Sequence, residues 1–192
     1  MVLRRSAACL TIVLALRPAA GSDWQLADLM QTLSHNQQQE ATFVEKRYLS
    51  VLDKPLESSG ELSFIPPNRL EKRTLKPRPE SVIVDGDVLI VDQSNRRHLR
   101  VKLQERPEIS AFVESIRGTL AGDQSALEKV YSIRLSGTAE NWRLWLVPLQ
   151  EQMVRIVSRI QMAGSQGDLT TIEFDFADGD RSEMVVTKAR SR

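Results

Sequence analysis

The sequence predicts a mainly β fold in which about ten antiparallel strands make one large, strongly curved sheet or a partly closed barrel, with helices on its concave face. Three observations point there. Short segments in which apolar and polar residues alternate recur through residues 41–186. Turn residues, above all Asp85-Gly86-Asp87 between two β-branched runs, separate them. Two helical stretches each carry a single apolar stripe that needs a greasy partner, and the hollow of the sheet is the economical place for both.

Residues 1–21 read as an export signal. Arg4 and Arg5 make a basic start, residues 6–16 an apolar run, Arg17-Pro18 a break, and Ala19-Ala20-Gly21 a cleavage site. The apolar run would span about 16 Å as a helix, roughly half a bilayer core, and no later segment is apolar for long enough to cross a membrane. The expectation is a cleavable signal over residues 1–21, export and release of the mature chain, and a single domain over residues 22–192. A rival reading makes Cys9 the acylated residue of a lipoprotein signal. Few residues precede Cys9 and most of the apolar run follows it, which disfavours that reading. Once the signal is gone the chain has no cysteine, so disulfides, thiol catalysis and Cys-zinc sites are excluded. Loss of Arg4, Arg5 and Arg17 moves the formal charge from +1 to −2. That balance argues against nucleic acid, which needs a concentrated basic face. Arg69, Lys72, Arg73, Lys76 and Arg78 form the one basic cluster, which reads as a solvated strand edge or loop.

The elements follow in order. Ser22 can cap a first helix carrying Leu26, Leu29, Met30 and Leu33 on one face, with Trp24 ahead of it. The polar residues 34–40 end it. Phe43, Leu49 and Leu56 begin short strands, and Leu62 and Phe64 alternate until Pro66-Pro67-Asn68 stops that strand. Residues 82–84 and 88–91 flank the Asp-Gly turn as a hairpin. Leu99, Val101 and Leu103 alternate with His98, Arg100 and Lys102 as a further half-buried strand. Pro107 opens a second helix with Ile109, Phe112, Val113, Ile116 and Leu120 at helical spacing, and Gly122 closes it. Asp123 caps a third helix over residues 124–130. Strands then alternate through Tyr131, Ile133 and Leu135, through Trp142, Leu144 and Leu146, and over residues 154–162 and 169–176. Met184 and Val186 mark the last.

Chemistry for turnover is missing from this pattern. His35 sits in a Gln-rich stretch and His98 on the polar face of a strand, neither beside a nucleophile or a spaced second ligand. Glu173, Asp175, Asp178, Asp180 and Glu183 form an acidic group. The first two alternate with Ile172, Phe174 and Phe176 as the outer face of a strand, and Asp178-Gly179-Asp180 is turn chemistry. No cofactor or metal is expected. A hydrolase would need Asp175, Asp180 and a histidine to converge. A curved sheet of about ten strands encloses more than an eight-stranded barrel, whose own side chains just fill it. With only 5% aromatic residues to fill the hollow, a cavity is expected there.

The ordered set of motifs resembles the outer-membrane lipoprotein carrier (LolA-like) family. It runs through Ala41-Thr42-Phe43-Val44-Glu45-Lys46-Arg47, Ser59-Gly60-Glu61-Leu62-Ser63-Phe64 and Pro67-Asn68-Arg69-Leu70. It continues through residues 80–89, Trp142-Arg143-Leu144-Trp145-Leu146-Val147-Pro148 and residues 169–180, spanning nearly all of the mature chain. The resemblance implies a half-open antiparallel barrel of about 10–11 strands whose concave apolar face is closed by a helical lid. It implies a monomeric periplasmic carrier that takes lipoprotein acyl chains or other lipid from an inner-membrane exporter to an outer-membrane acceptor, touching membranes transiently. Phe43, Leu62, Phe64, Leu70, Val82, Val84, Leu89, Val91, Leu144 and Leu146 are the sheet-side cavity candidates. Ile109, Phe112, Val113 and Ile116 are the lid side. A one-residue slip in any strand would exchange its set. The sequence departs from the family at Pro66, where carriers place an Arg that holds the lid shut. It departs again at Leu70, where an aromatic is expected, and near Lys72-Arg73, where a Trp falls. Two other uses of the fold stay open. One is an accessory carrier for glycolipid or polyketide-lipid export. The other is a regulatory or scaffold module for a protein partner, which would show an exposed apolar patch and no enclosed cavity.

Overall fold

The computed structural model describes residues 24–35, 39–93 and 99–189. Ser22, His98 and the signal segment lie outside them. Helix α1 (Leu26–Ser34) is capped by Gln25, whose backbone N–H donates to Asp28 Oδ2 at 2.9 Å in a reciprocal capping box. Six strands follow: β1 (Gln39–Tyr48), β2 (Leu56–Ile65), β3 (Arg69–Lys76), β4 (Glu80–Asp85), β5 (Val88–Gln93) and β6 (Leu99–Lys102). A 3-10 turn (Leu103–Glu105), helix α2 (Pro107–Ala121) and helix α3 (Gln124–Glu128) come next. The chain ends in β7 (Tyr131–Thr138), β8 (Asn141–Pro148), a short helix α4 (Glu151–Val154), β9 (Val157–Ser165), β10 (Asp168–Phe176) and β11 (Arg181–Lys188).

All eleven strands form one antiparallel sheet in the order β6-β5-β4-β3-β2-β1-β11-β10-β9-β8-β7. Two meanders are joined where β1 pairs with β11, from Ala41 opposite Lys188 to Tyr48 opposite Arg181. The outermost strands β6 and β7 are not neighbours in this order, so the sheet curves without closing, as a half-open barrel under helices.

Several details differ from the sequence reading. Residues 39–48 are one unbroken strand because β2 and β11 pair with it along its length. The basic cluster belongs largely to β3, an interior strand between β2 and β4 and not an edge. Leu103 leaves the alternation: it sits in the 3-10 turn, and its N–H donates to the Asp87 carbonyl at 2.8 Å. Residues 154–156 belong to α4 and its exit, so β9 starts at Val157. Helix α3 stops at Glu128, although Asp123 does cap it, accepting from Ala126 N–H at 2.9 Å.

The core divides in two. On the β7–β10 side, Leu29 and Leu33 of α1 meet Trp142, Leu144, Leu146, Ile160 and Met162, all fully buried, with Leu127 and Met153 from the smaller helices. Each such side chain adds roughly 1.5–3 kcal/mol of burial. Two glycines permit this closeness. A Cβ at Gly164 would stand 2.3 Å from the Trp142 ring. At Gly122, the left-handed end of α2 (φ +68°), it would stand 2.1 Å from the Met30 carbonyl of α1. The second cluster, on the β4–β5 side, is sparse: Val84, Leu89, Leu103 and Val113.

Candidate functional site

Between the sheet and α2 lies a cavity of about 370 Å³. That exceeds an engineered cavity of about 150 Å³ that stays dry and takes small apolar guests, and it falls within the range of natural ligand pockets. Strand alternation builds its floor. Leu62 and Phe64 of β2, Leu70 of β3, Val82 and Val84 of β4, and Leu89 of β5 all face it. The register sets Phe64, Leu70, Val84 and Leu89 side by side across four strands. The roof is one face of α2, where Ile109, Phe112, Val113 and Ile116 line the cavity at i, i+3, i+4 and i+7, with Leu120 beyond.

Four sheet-side candidates do not line it. Leu144 and Leu146 are fully buried beneath α1, because β8 lies on the half of the sheet that the N-terminal helix plugs. Phe43 packs into the same cluster, its ring 4.9 Å from the Lys72 ammonium. Val91 packs against the Leu89–Leu103–Val113 cluster near the sheet edge. In their place β10 and β11 supply Ile172, Phe174, Phe176, Met184 and Val186. Their alternation was readable; what the sequence does not show is that β11 pairs with β1 and so brings these residues beside Leu62. Phe112 joins the two clusters, its ring centroid 4.8 Å from that of Phe174.

The cavity also has a polar end that sequence reading missed. Glu45 shares a face of β1 with Phe43 and is buried, its residue 7% exposed. Its Oε1 accepts from the Ser182 hydroxyl at 2.7 Å, and its Oε2 accepts from Lys72 Nζ at 2.5 Å and from the Ser58 hydroxyl at 3.3 Å. Burial alone pushes the Glu45 carboxyl up. The Lys72 charge and the hydrogen bonds from Lys72, Ser182 and Ser58 outweigh it and hold the group below the ordinary carboxylate value. Lys72 stands near the place where the family pattern has a Trp.

Among the described residues no hydrogen bond or ion pair joins the β2–β3 connection to the roof. Arg117 of α2 holds the roof instead: it is 8% exposed, donates to the Gly86 carbonyl in the β4–β5 turn, and pairs with Glu114 at 3.1 Å.

The remaining polar candidates are spread out. His35 caps α1, its Nδ1 2.6 Å from the Gln31 carbonyl. Asp175 pairs with Arg159 at 2.6 Å, Asp180 accepts from Ser50 N–H at 2.8 Å, and Glu183 accepts from the Tyr48 hydroxyl at 3.1 Å. Glu173 accepts from Gln161 at 3.3 Å, and Asp178 from Asp180 N–H at 3.0 Å. Among the described residues no group of three or more His, Cys, Asp or Glu side chains is placed to hold a metal, and no helix is long and apolar enough to cross a membrane.

The family described as outer membrane lipoprotein carrier protein LolA-like matches the chain over residues 18–191. Similar solved structures include the LolA superfamily protein NE2245 from Nitrosomonas europaea, 10% identical over 85% of this chain and 93% of that one, with a TM-score of 0.47. They also include Pseudomonas aeruginosa MucB in complex with MucA, 16% identical over 87% of this chain and 58% of the other, TM-score 0.47. A third is LprF from Mycobacterium bovis, 11% identical over 87% and 92%, TM-score 0.38. No curated protein matches the chain.

Proposed function

This chain belongs to the outer-membrane lipoprotein carrier (LolA-like) family, and from that premise we propose that it is a periplasmic carrier which shelters acyl chains of lipoproteins or lipids under α2 on their way from inner to outer membrane. The observation that carries the proposal is the roofed apolar cavity of about 370 Å³. An acyl chain gains about 0.8 kcal/mol for each methylene taken out of water, so it does not cross an aqueous compartment unescorted. A carrier must also let go. A wall that faces empty space and a roof of one helix make a site that can open by a movement of that helix. On this reading the chain binds and releases without turnover, receiving cargo from an exporter and yielding it to an acceptor. A roofed, partly open apolar hollow suits an acyl chain, which favours the carrier over a purely partner-binding module.

Native mass spectrometry of protein purified from its own periplasm tests the proposal. Adducts of lipid or acylated protein that disappear on solvent extraction are expected. A clean unliganded mass across preparations would overturn it.

A further inference from the structure

Resting on the carrier reading, we propose that Lys72 docks a neutral carbonyl or hydroxyl of the cargo's headgroup while Glu45 turns free carboxylates away, so that the cavity selects esterified acyl chains over free fatty acids.

The placement comes from register. Lys72 lies opposite Leu62 on β2 and Val82 on β4, both cavity walls, and it follows Leu70 on the same face. Its ammonium is therefore set among apolar side chains. Gly60 stands opposite Phe43 on β2, and the Lys72 ammonium lies 4.9 Å from the centre of that ring.

Donor counting then distinguishes the two charged groups. An ammonium has three N–H donors. Glu45 takes one, the Phe43 ring face attracts the charge, and among the described residues no other acceptor engages Lys72. Its side chain is 32% exposed and lines the cavity, leaving donors for a ligand. Glu45 is the reverse case. Both its oxygens are engaged and its side chain is 10% exposed, so it offers a ligand almost no hydrogen bond but keeps its negative charge.

A cargo carboxylate reaching Lys72 would bring a second negative charge beside Glu45, and the repulsion offsets the attraction. It would also lose its hydration without full compensation. An ester carbonyl or glycerol hydroxyl costs less to desolvate and gains a charge-assisted hydrogen bond. The other charges lining the cavity do not undo this. Asp168 pairs with Lys188 at 2.6 Å, and Glu71 pairs with Arg69 and Arg73. Glu40 and Arg47 are exposed near opposite ends of β1, where water and salt screen them.

The test is displacement of a fluorescent acyl probe by 1-lauroylglycerol and by laurate, for wild type, Glu45→Gln and Glu45→Gln/Lys72→Met. Wild type should prefer 1-lauroylglycerol by about tenfold or more, the scale of one hydrogen bond to a charged group. Glu45→Gln should erase or reverse the preference by raising laurate affinity. The double variant should weaken 1-lauroylglycerol by about tenfold relative to wild type. An unchanged ratio in Glu45→Gln, or a wild-type preference for laurate, would overturn the inference while the carrier reading stands. Failure of both amphiphiles to displace the probe from wild type would overturn both. Should Glu45→Gln not fold, the wild-type ratio decides alone.

Discussion

Strands β8 and β9 and strands β2, β4 and β5 all turn apolar residues to the concave face, yet one half is filled and the other keeps a cavity. On the β8–β9 side, Leu29, Met30 and Leu33 of α1 are buried in one cluster with Trp142, Leu144, Leu146, Ile160 and Met162. Over β2–β5, α2 packs Ile109, Phe112 and Val113 against Leu70, Val84 and Leu89 in a sparser cluster, and a cavity remains between helix and sheet. Alternation therefore specifies which face is apolar without specifying whether that face is filled. Filling is decided by which helix the topology carries across it.

The comparison breaks most readily on stability. Trp142→Ala removes a fully buried indole, whose N–H also donates to the Gln166 carbonyl at 2.9 Å, and should cost about 3–5 kcal/mol. Leu144→Ala should cost about 2–5 kcal/mol for the same reason. Leu62→Ala only enlarges a space that exists already, and about 1 kcal/mol is expected. Urea denaturation of the three variants measures this. Equal costs for Leu62 and Leu144 would mean the cavity wall is packed as tightly as the core.

The same contrast explains how far the sequence could be read. Most strands, the Gly86 turn, the Gly122 helix end and the lid stripe from Ile109 to Ile116 are local signals, and local spacing carries them; β3, whose Arg69, Lys72, Arg73 and Lys76 give no apolar alternation, is placed by its pairing with β2 and β4. Leu144 and Leu146 were misassigned because their alternation is indistinguishable from that of Leu62 and Phe64. Only the docking of α1, a contact between residues more than a hundred positions apart, separates them. Glu45 and Lys72 went unread for a related reason. A charged residue in a strand reads as solvent-facing until its partner is known; those of Glu45 come from β2, β3 and β11, and that of Lys72 from β1.

Acid and alkali should strain the two halves separately. Tyr131, in the plugged half, is pushed up to about 12, first by burial, with Glu114 adding to the rise and a hydrogen bond with Ser115 opposing it. Its contribution is fully present below the ordinary value of 10 and is lost as pH climbs towards about 12. Glu45, in the hollow half, is held below its ordinary value of 4.5. Its contribution is present above that value and is lost as pH falls through the lowered one. Tyr131→Phe should flatten the alkaline limb of a stability–pH curve and Glu45→Gln the acid limb. Either substitution flattening the opposite limb would contradict the assignment.

The smallest expected effect concerns the roof. Arg117 is a buried cation whose Nε has no hydrogen-bond partner among the described residues, while its terminal nitrogens reach the Gly86 carbonyl and Glu114. Replacing it by methionine removes the tie between α2 and the β4–β5 turn but also removes an unpaired buried donor, so the two contributions nearly cancel. Global stability should change by about 1 kcal/mol or less. Local opening should not cancel, because the turn is otherwise joined to the segment before α2 by Leu103 N–H to the Asp87 carbonyl and Gln104 to the Asp87 carboxylate. Amide exchange at Leu103 and along the first turns of α2 should therefore speed up in Arg117→Met while exchange in β8 and β9 stays slow. Faster exchange in β8 and β9 as well would show that roof and core open as one unit, and the division into a plugged and a hollow half would lose its dynamic meaning.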